Sequence, residues 1–324
     1  MANVAIVGAG NVGANTAFFI AERNIGDVLL HDLQHGAAVG KALDMMEAAP
    51  IRGYQFGINA VESIEATRDS AMIIIAAGSG REPGMQREDL FARNLPVVDA
   101  LARDLRGYGG VILIATEPVD LMVMRFREQS GLNATRVLGL GGALNSARLA
   151  HILSRRLHIT TENISATVIG RHAGAMIPLL NYSRVNGIPV TVLLDEEAQE
   201  RVVQETRNAG DLIVEMSQRA SSYYGPSAVA ADIAQAVLWD TKRIMPVSFV
   251  WEEPGHYGVS GAAMSLPAVL GAAGVERVLE PELNPEQVRS LDQSAGDLRK
   301  IMAGATTNGA TANGATANGK ERKS

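Results

Sequence analysis

The apolar run Val4-Ala5-Ile6-Val7 breaks at once into Gly8-Ala9-Gly10-Asn11-Val12-Gly13, and a second apolar run, Val28 to Leu30, leads to an acid at Asp32. A β-branched run flanked by glycine suits a buried parallel strand. Gly8 permits a tight turn, Gly10 has no side chain to hold a ligand off the backbone, and Gly13 lets the next helix lie close to the strand. That helix, expected over Asn11 to Arg23, turns its amide-rich, positive end toward the glycine turn, where a pyrophosphate is welcome without any lysine. A carboxylate at Asp32 accepts both hydroxyl hydrogens of a ribose and repels a 2′-phosphate, so the motif predicts NAD rather than NADP.

The rest of the first half keeps the same rhythm. Met72 to Ala76, Val111 to Ala115 and Val137 to Leu140 read as short buried strands, with helices around 38–49, 86–107 and 118–129 between them. Alternation of this kind predicts an α/β chain with a doubly wound parallel sheet, whose ligands sit outside the carboxyl ends of the strands. Those ends are Gly8, Asp32, Gly78 and Thr116. Beyond about residue 143 the pattern changes to longer helices mixed with strands near 164–169, 188–194 and 246–251, which predicts a second, α+β domain. The expected division is 1–143 for cofactor binding, 144–304 for substrate and catalysis, and 305–324 as a tail. That tail carries an NGATA repeat with almost no large apolar side chains, and the composition predicts disorder.

Composition removes several classes of function. The 29 Lys+Arg against 35 Asp+Glu give a net charge of −6, which offers no broad basic surface to nucleic acid or anionic lipid. The chain has no cysteine, so disulfides, thiol catalysis and thiolate metal sites are excluded. No apolar run approaches the roughly 20 residues of a membrane span, and no signal peptide is apparent, so the expected location is the cytoplasm.

Chemistry concentrates in four segments. Gly78 to Arg93 places Arg81 and Arg87 around a Pro-Gly turn after a strand; they read either as guanidiniums closing over an anion or as a solvated loop paired with Glu82, Glu88 and Asp89. Leu144-Asn145-Ser146-Ala147-Arg148 puts Asn145 and Arg148 on one helical face, where the arginine needs an anion, from substrate or from protein. His172 follows an apolar strand in a glycine-containing turn, and imidazole suits proton transfer near neutrality. Ala115-Thr116-Glu117-Pro118-Val119-Asp120 lies at a strand's carboxyl end, where it reads as a site segment or as a plain helix start.

Together these segments, with GKALDMMEAAPI at 40–51 and SSYYGPSA at 221–228, resemble the NAD-dependent malate and lactate dehydrogenase family from about residue 3 to residue 303. The resemblance implies a reversible hydride transfer between NAD(H) and a 2-hydroxy acid, and the arginine at position 81 resembles the dicarboxylate branch, acting on malate and oxaloacetate as in the tricarboxylic acid cycle. It implies that Arg81 binds the distal carboxylate, Arg87 polarises the reacting carbonyl, Arg148 clamps the adjacent carboxylate and His172 exchanges the proton. By the same resemblance Asn94 and the Ala115–Thr116 backbone contact the nicotinamide side, Glu117 borders both cofactor and substrate, no metal takes part, and a homodimer or homotetramer is expected.

Three segments depart from the family pattern around the histidine. Glu117 stands where the family has asparagine, Asn145 where it has the aspartate that orients the histidine, and Arg171-His172-Ala173-Gly174 where it has Gly-His-Gly-Asp. Loss of an orienting aspartate in a serine-protease triad lowers rate by about 10⁴. The changes therefore predict either lost turnover in a protein that still binds NAD, an altered 2-hydroxy acid substrate, or a carboxylate moved from 145 to 117 that holds His172 from the other side.

Overall fold

The computed structural model describes residues 3–317 except 83, 86, 173 and 218–221, with the backbone alone at 87, 88 and 306–317. In the first half, β1 (Val4–Val7), α1 (Asn11–Glu22), β2 (Val28–His31), α2 (His35–Arg52), β3 (Ile58–Val61), β4 (Met72–Ile75), α3 (Arg87–Asp104), β5 (Val111–Ile114), α4 (Val119–Ser130) and β6 (Val137–Gly139) follow in order. The strands pair in parallel in the order β3-β2-β1-β4-β5-β6. β1, β4 and β5 are buried along their whole length, because helices cover both faces and every side chain must be apolar. The order reverses between β1 and β4, and a crevice opens there beyond the strands' carboxyl ends.

The second half comprises α5 (Gly141–Leu157), β7 (Ile164–Ser165), β8 (Val168–Gly170), β9 (Met176–Pro178), β10 (Arg184–Val185), β11 (Ile188–Pro189), α6 (Val190–Leu193), α7 (Glu196–Ser217), α8 (Tyr224–Leu238), β12 (Arg243–Val250), β13 (Ala263–Gly271), β14 (Gly274–Val278) and α9 (Pro285–Ala317). Strands β8, β9, β12, β13 and β14 extend the first sheet, while β7, β10 and β11 form a separate three-stranded sheet. β12 joins β6 through an antiparallel bridge between Ser248 and Gly139, β13 pairs along β12, and β8 joins β13 at Gly170–Ser265. This continuity carries the end of β8, and His172 just beyond it, to the crevice of the parallel half. The alanine-rich α8 packs against α1, with Ala230, Ala231 and Ala234 fully buried, so the cofactor-side helix rests on the second half of the chain.

Two expectations change. The run at 188–194 is a two-residue strand followed by one helical turn, because Pro189 ends the pairing and caps α6. The segment from 305, expected to be disordered, is helical through Ala317. Its stem in α9 is anchored by buried Leu291, Ala295 and Leu298, so the segment continues a helix that is already nucleated; residues 318–324 lie outside those described. Among the described residues no helix is long and apolar enough to cross a membrane.

Candidate active site

The glycine turn has the shape its spacing predicts. Gly8 sits at φ +102°, and a Cβ there would lie 2.5 Å from the backbone nitrogen of Ala77, while a Cβ on Gly13 would fall 1.8 Å from the carbonyl oxygen of Gly8. A Cβ on Gly10 would meet nothing within 4 Å, so the open side of the turn faces the crevice where a pyrophosphate belongs. Asp32, just past β2, takes the Ala9 N–H on Oδ2 at 2.8 Å and the Gln34 N–H on Oδ1 at 2.9 Å, which fixes the carboxylate beside the turn. Lys41 from α2 donates to the Ala9 carbonyl, tying the turn from the other side. Turn, helix start and acid thus fit a dinucleotide carrying a free 2′-hydroxyl.

A cavity of about 510 Å³ continues from this turn to the second half of the chain. Gly10, Asn11, Val12, Ala115, Thr116 and Glu117 line its cofactor side, and Arg81, Arg148, His172 and Arg207 line its far side. The cations come from three elements, namely the loop after β4, α5 and α7. Arg81 pairs with Asp211 of α7, so the loop is tied across the mouth of the cavity. The Arg148 guanidinium lies against α7 at Gly210, where an added Cβ would come within 3.2 Å of its Nη1. Arg207 is held by donating from Nε to the Met176 carbonyl at 3.3 Å.

Asn94 is buried, and its amide is engaged within the protein. Nδ2 donates to the carbonyls of Ser79 at 3.0 Å and Glu117 at 2.8 Å, and Oδ1 accepts the Ser79 N–H at 2.7 Å. The residue braces the loop after β4 against the Glu117 segment. The side chain of Arg87 lies outside the described residues, as does Ala173.

The histidine is held in a way the family pattern does not foretell. His172 is buried, with its side chain 5% exposed, and Nε2 lies 3.1 Å from Oε1 of Glu117, whose side chain is 32% exposed toward the cavity. On the opposite side of the ring, His172 Nδ1 is buried without a hydrogen-bond partner, and so is Oδ1 of Asn145. The carboxylate that grips the imidazole is therefore at 117 and on Nε2. The Glu117–Pro118 peptide is cis, and α4 begins at Val119.

Beneath the histidine, Asp120 is completely enclosed. Its Oδ2 accepts the His172 backbone N–H at 2.6 Å and its Oδ1 accepts the Ser248 hydroxyl at 2.6 Å. Burial pushes the Asp120 carboxyl above the usual carboxylate range, although nearby His172, the two hydrogen bonds and Arg171 pull it down. Asp120 and Ser248 thus clamp the backbone at the histidine, a role no local pattern announces. Among the described residues there is no cluster of acids and histidines able to hold a metal.

Residues 2–139 match the model of the lactate/malate dehydrogenase NAD binding domain, and residues 142–308 match that of the lactate/malate dehydrogenase alpha/beta C-terminal domain. The chain belongs to the lactate/malate dehydrogenase family. Within this family it is 36% identical over 304 residues to a malate dehydrogenase of Shouchella clausii, covering 93% of this chain and 96% of that one. Among solved structures, malate dehydrogenase from Cryptosporidium parvum superposes with a TM-score of 0.91 at 30% identity, covering 94% of this chain and 99% of the other. The lactate dehydrogenase of the same organism, solved with lactic acid and β-nicotinamide adenine dinucleotide, gives 0.88 at 29% identity over 93% and 97%. Membership in the lactate/malate dehydrogenase family makes the chain an NAD-dependent oxidoreductase.

Proposed function

We propose that the chain interconverts malate and oxaloacetate with NAD(H). What carries this reading is the array of guanidiniums, Arg81, Arg148 and Arg207, facing one cavity with His172 beyond the glycine turn. A dicarboxylate needs two cationic contacts at opposite ends and a proton donor near its C2 oxygen, and planar guanidiniums match carboxylates bidentately. In this reading Arg81 leaves Asp211 for the distal carboxylate, Arg148 takes the carboxylate next to C2, and Arg87 polarises the carbonyl. The His172–Glu117 pair serves the proton. Gly8, Ala9, Gly10, Asn11, Val12, Gly13 and Asp32 seat the pyrophosphate and ribose, while the Ala115–Thr116 backbone and Glu117 flank the nicotinamide end. When bound, the nicotinamide supplies or takes the hydride at C2.

The same reading divides the chain into a cofactor half at 1–143 and a substrate half at 144–304, acting in the cytoplasm as a homodimer or homotetramer. Exposed Leu43 and Ile51 on α2 support a self-association surface. The deciding experiment is steady-state NADH oxidation with oxaloacetate and pyruvate, repeated with NADPH. Turnover with oxaloacetate and NADH, exceeding that with pyruvate or NADPH at least tenfold, is expected. Preference for a 2-oxo acid with an uncharged or cationic distal group overturns the dicarboxylate assignment, and saturable NADH binding without turnover on any 2-oxo acid overturns the enzymatic one.

A further inference from the structure

We infer that Glu117, rather than His172, is the group that exchanges the proton with the substrate oxygen, with His172 as its positioning partner. The inference deepens the malate/oxaloacetate reading and rests on it. Three observations converge. Glu117 and His172 both line the cavity, and Glu117 is the more open of the two, with 32% of its side chain exposed against 5% for His172. Its Oε1 occupies the neighbourhood of Nε2 at 3.1 Å. The opposite ring nitrogen, Nδ1, is buried and meets no acceptor, and the amide oxygen of Asn145 is likewise unmatched.

A proton on the unpartnered Nδ1 would be a buried donor with nothing to receive it, so in the neutral ring the proton belongs on Nε2, where Oε1 of Glu117 can accept it. A neutral imidazole fixed in that tautomer has no lone pair on Nε2 with which to take a proton from a hydroxy acid. An imidazolium would carry a second N–H at Nδ1 with nothing to receive it, and an unmet buried donor costs about 1–3 kcal/mol. Both conditions place the exchangeable proton of the pair on the Glu117 carboxyl. A neutral carboxyl also removes the repulsion that an ionised Glu117 would present to an incoming dicarboxylate.

In the reductive direction Glu117 gives its carboxyl proton to the C2 oxygen as the carbonyl π pair becomes a lone pair there, C2 having received the hydride from the reduced nicotinamide. Glu117 is left as a carboxylate held by the Nε2–H of His172, and it takes a proton from solvent through the cavity before the next turnover. In the oxidative direction the carboxylate removes the hydroxyl proton while the O–H pair forms the carbonyl and C2 gives up hydride to the oxidised nicotinamide.

Glu117→Gln keeps the hydrogen bond to Nε2–H but cannot carry a proton. With oxaloacetate and NADH its kcat falls 10²- to 10⁴-fold, the range for loss of a general acid, with KM changing less than threefold and NADH binding retained. Formate restores at least tenfold of the lost kcat to Glu117→Ala and leaves the natural protein unchanged. The natural kcat in Glu117→Gln, together with complete loss in His172→Gln, overturns the inference: His172 then meets the substrate itself and Glu117 stands aside. Absence of oxaloacetate turnover in the natural protein would defeat the functional reading, and ¹⁵N NMR of the histidine rings then judges the pair separately. The proton is expected on Nε2 of His172 in the natural protein, and that preference is expected to weaken in Glu117→Ala. A neutral ring protonated on Nδ1 in the natural protein overturns the pairing.

Discussion

Asp120 gives a test of how the histidine turn is held, because two substitutions separate its hydrogen bonds from its charge. Asp120→Ala removes the acceptor of two bonds, both 2.6 Å long, and strands the buried His172 N–H and Ser248 hydroxyl. At about 1–3 kcal/mol for each unsatisfied group the loss is roughly 2–6 kcal/mol. Unfolding entropy near 2.1 cal/mol/K per residue over 324 residues converts this to a fall in Tm of roughly 3–9 °C. Asp120→Asn behaves differently. Its amide oxygen still accepts the His172 N–H, and the Ser248 hydroxyl can turn to accept from the amide NH₂. The native carboxyl titrates above its ordinary value in the folded state because burial outweighs the neighbouring groups and hydrogen bonds that lower it. The folded chain therefore binds more protons than the unfolded chain once pH passes the unfolded value of 3.8, and Asp120 withdraws stability as pH rises through the interval up to its folded value. Asparagine carries no such dependence. The difference in Tm between Asp120→Asn and the natural protein, followed by calorimetry from pH 4 to pH 8, is expected to move in favour of asparagine as pH rises. A flat difference, or one moving toward the natural protein, refutes the assigned direction and the dominance of burial behind it.

Asp32→Asn replaces an acceptor-only group between two backbone N–H donors by one that presents an NH₂ to one of them; with about 1.5–3 kcal/mol at stake in a hydrogen bond to a charged group, NADH affinity measured by fluorescence is expected to fall roughly 10- to 100-fold. An unchanged Kd would remove Asp32 from the cofactor site. Asp211→Asn releases Arg81 from a pair whose acid is 58% exposed, and exposed pairs contribute about 0–1 kcal/mol. Up to a fivefold lower KM for oxaloacetate is expected, with kcat little altered; a raised KM would show that Asp211 assists binding instead of competing with it.

The cofactor half was legible in the sequence because each of its constraints is local. Strands buried on both faces must be continuous apolar runs, as in Met72–Ile75 and Val111–Ile114, and the glycines mark close approaches that a Cβ would prevent. The part of the far wall that α7 supplies was not legible. On α7, Arg207 and Asp211 sit among Glu200, Arg201, Glu205 and Glu215 and read as one more solvated charged face. Their four-residue spacing places both on the side turned to the cavity, but only the packing of α7 against α5 and β9 shows which side that is. Asp120 was equally hidden, since an acid in the first turn of a helix ordinarily answers the helix dipole. Its task depends on Ser248, which β12 delivers from far along the chain.

The exchange of acid and amide between positions 145 and 117 shows where charge counting fails. By the family resemblance both positions border the histidine, so a tally by residue type finds one carboxylate before and after the exchange. What differs is the ring nitrogen that the carboxylate reaches. A carboxylate on Nδ1 leaves the lone pair of a neutral imidazole on Nε2, whereas Glu117 at 3.1 Å from Nε2 puts the proton there and leaves Nδ1 and Asn145 Oδ1 unmatched. By the family resemblance a carboxylate at 145 reaches Nδ1, so returning it there alone would place acids on both nitrogens, and removing it from 117 alone would leave none on the ring. The double substitution Glu117→Asn with Asn145→Asp should therefore recover more activity than the product of the single effects predicts, because each change corrects the tautomer that the other disturbs.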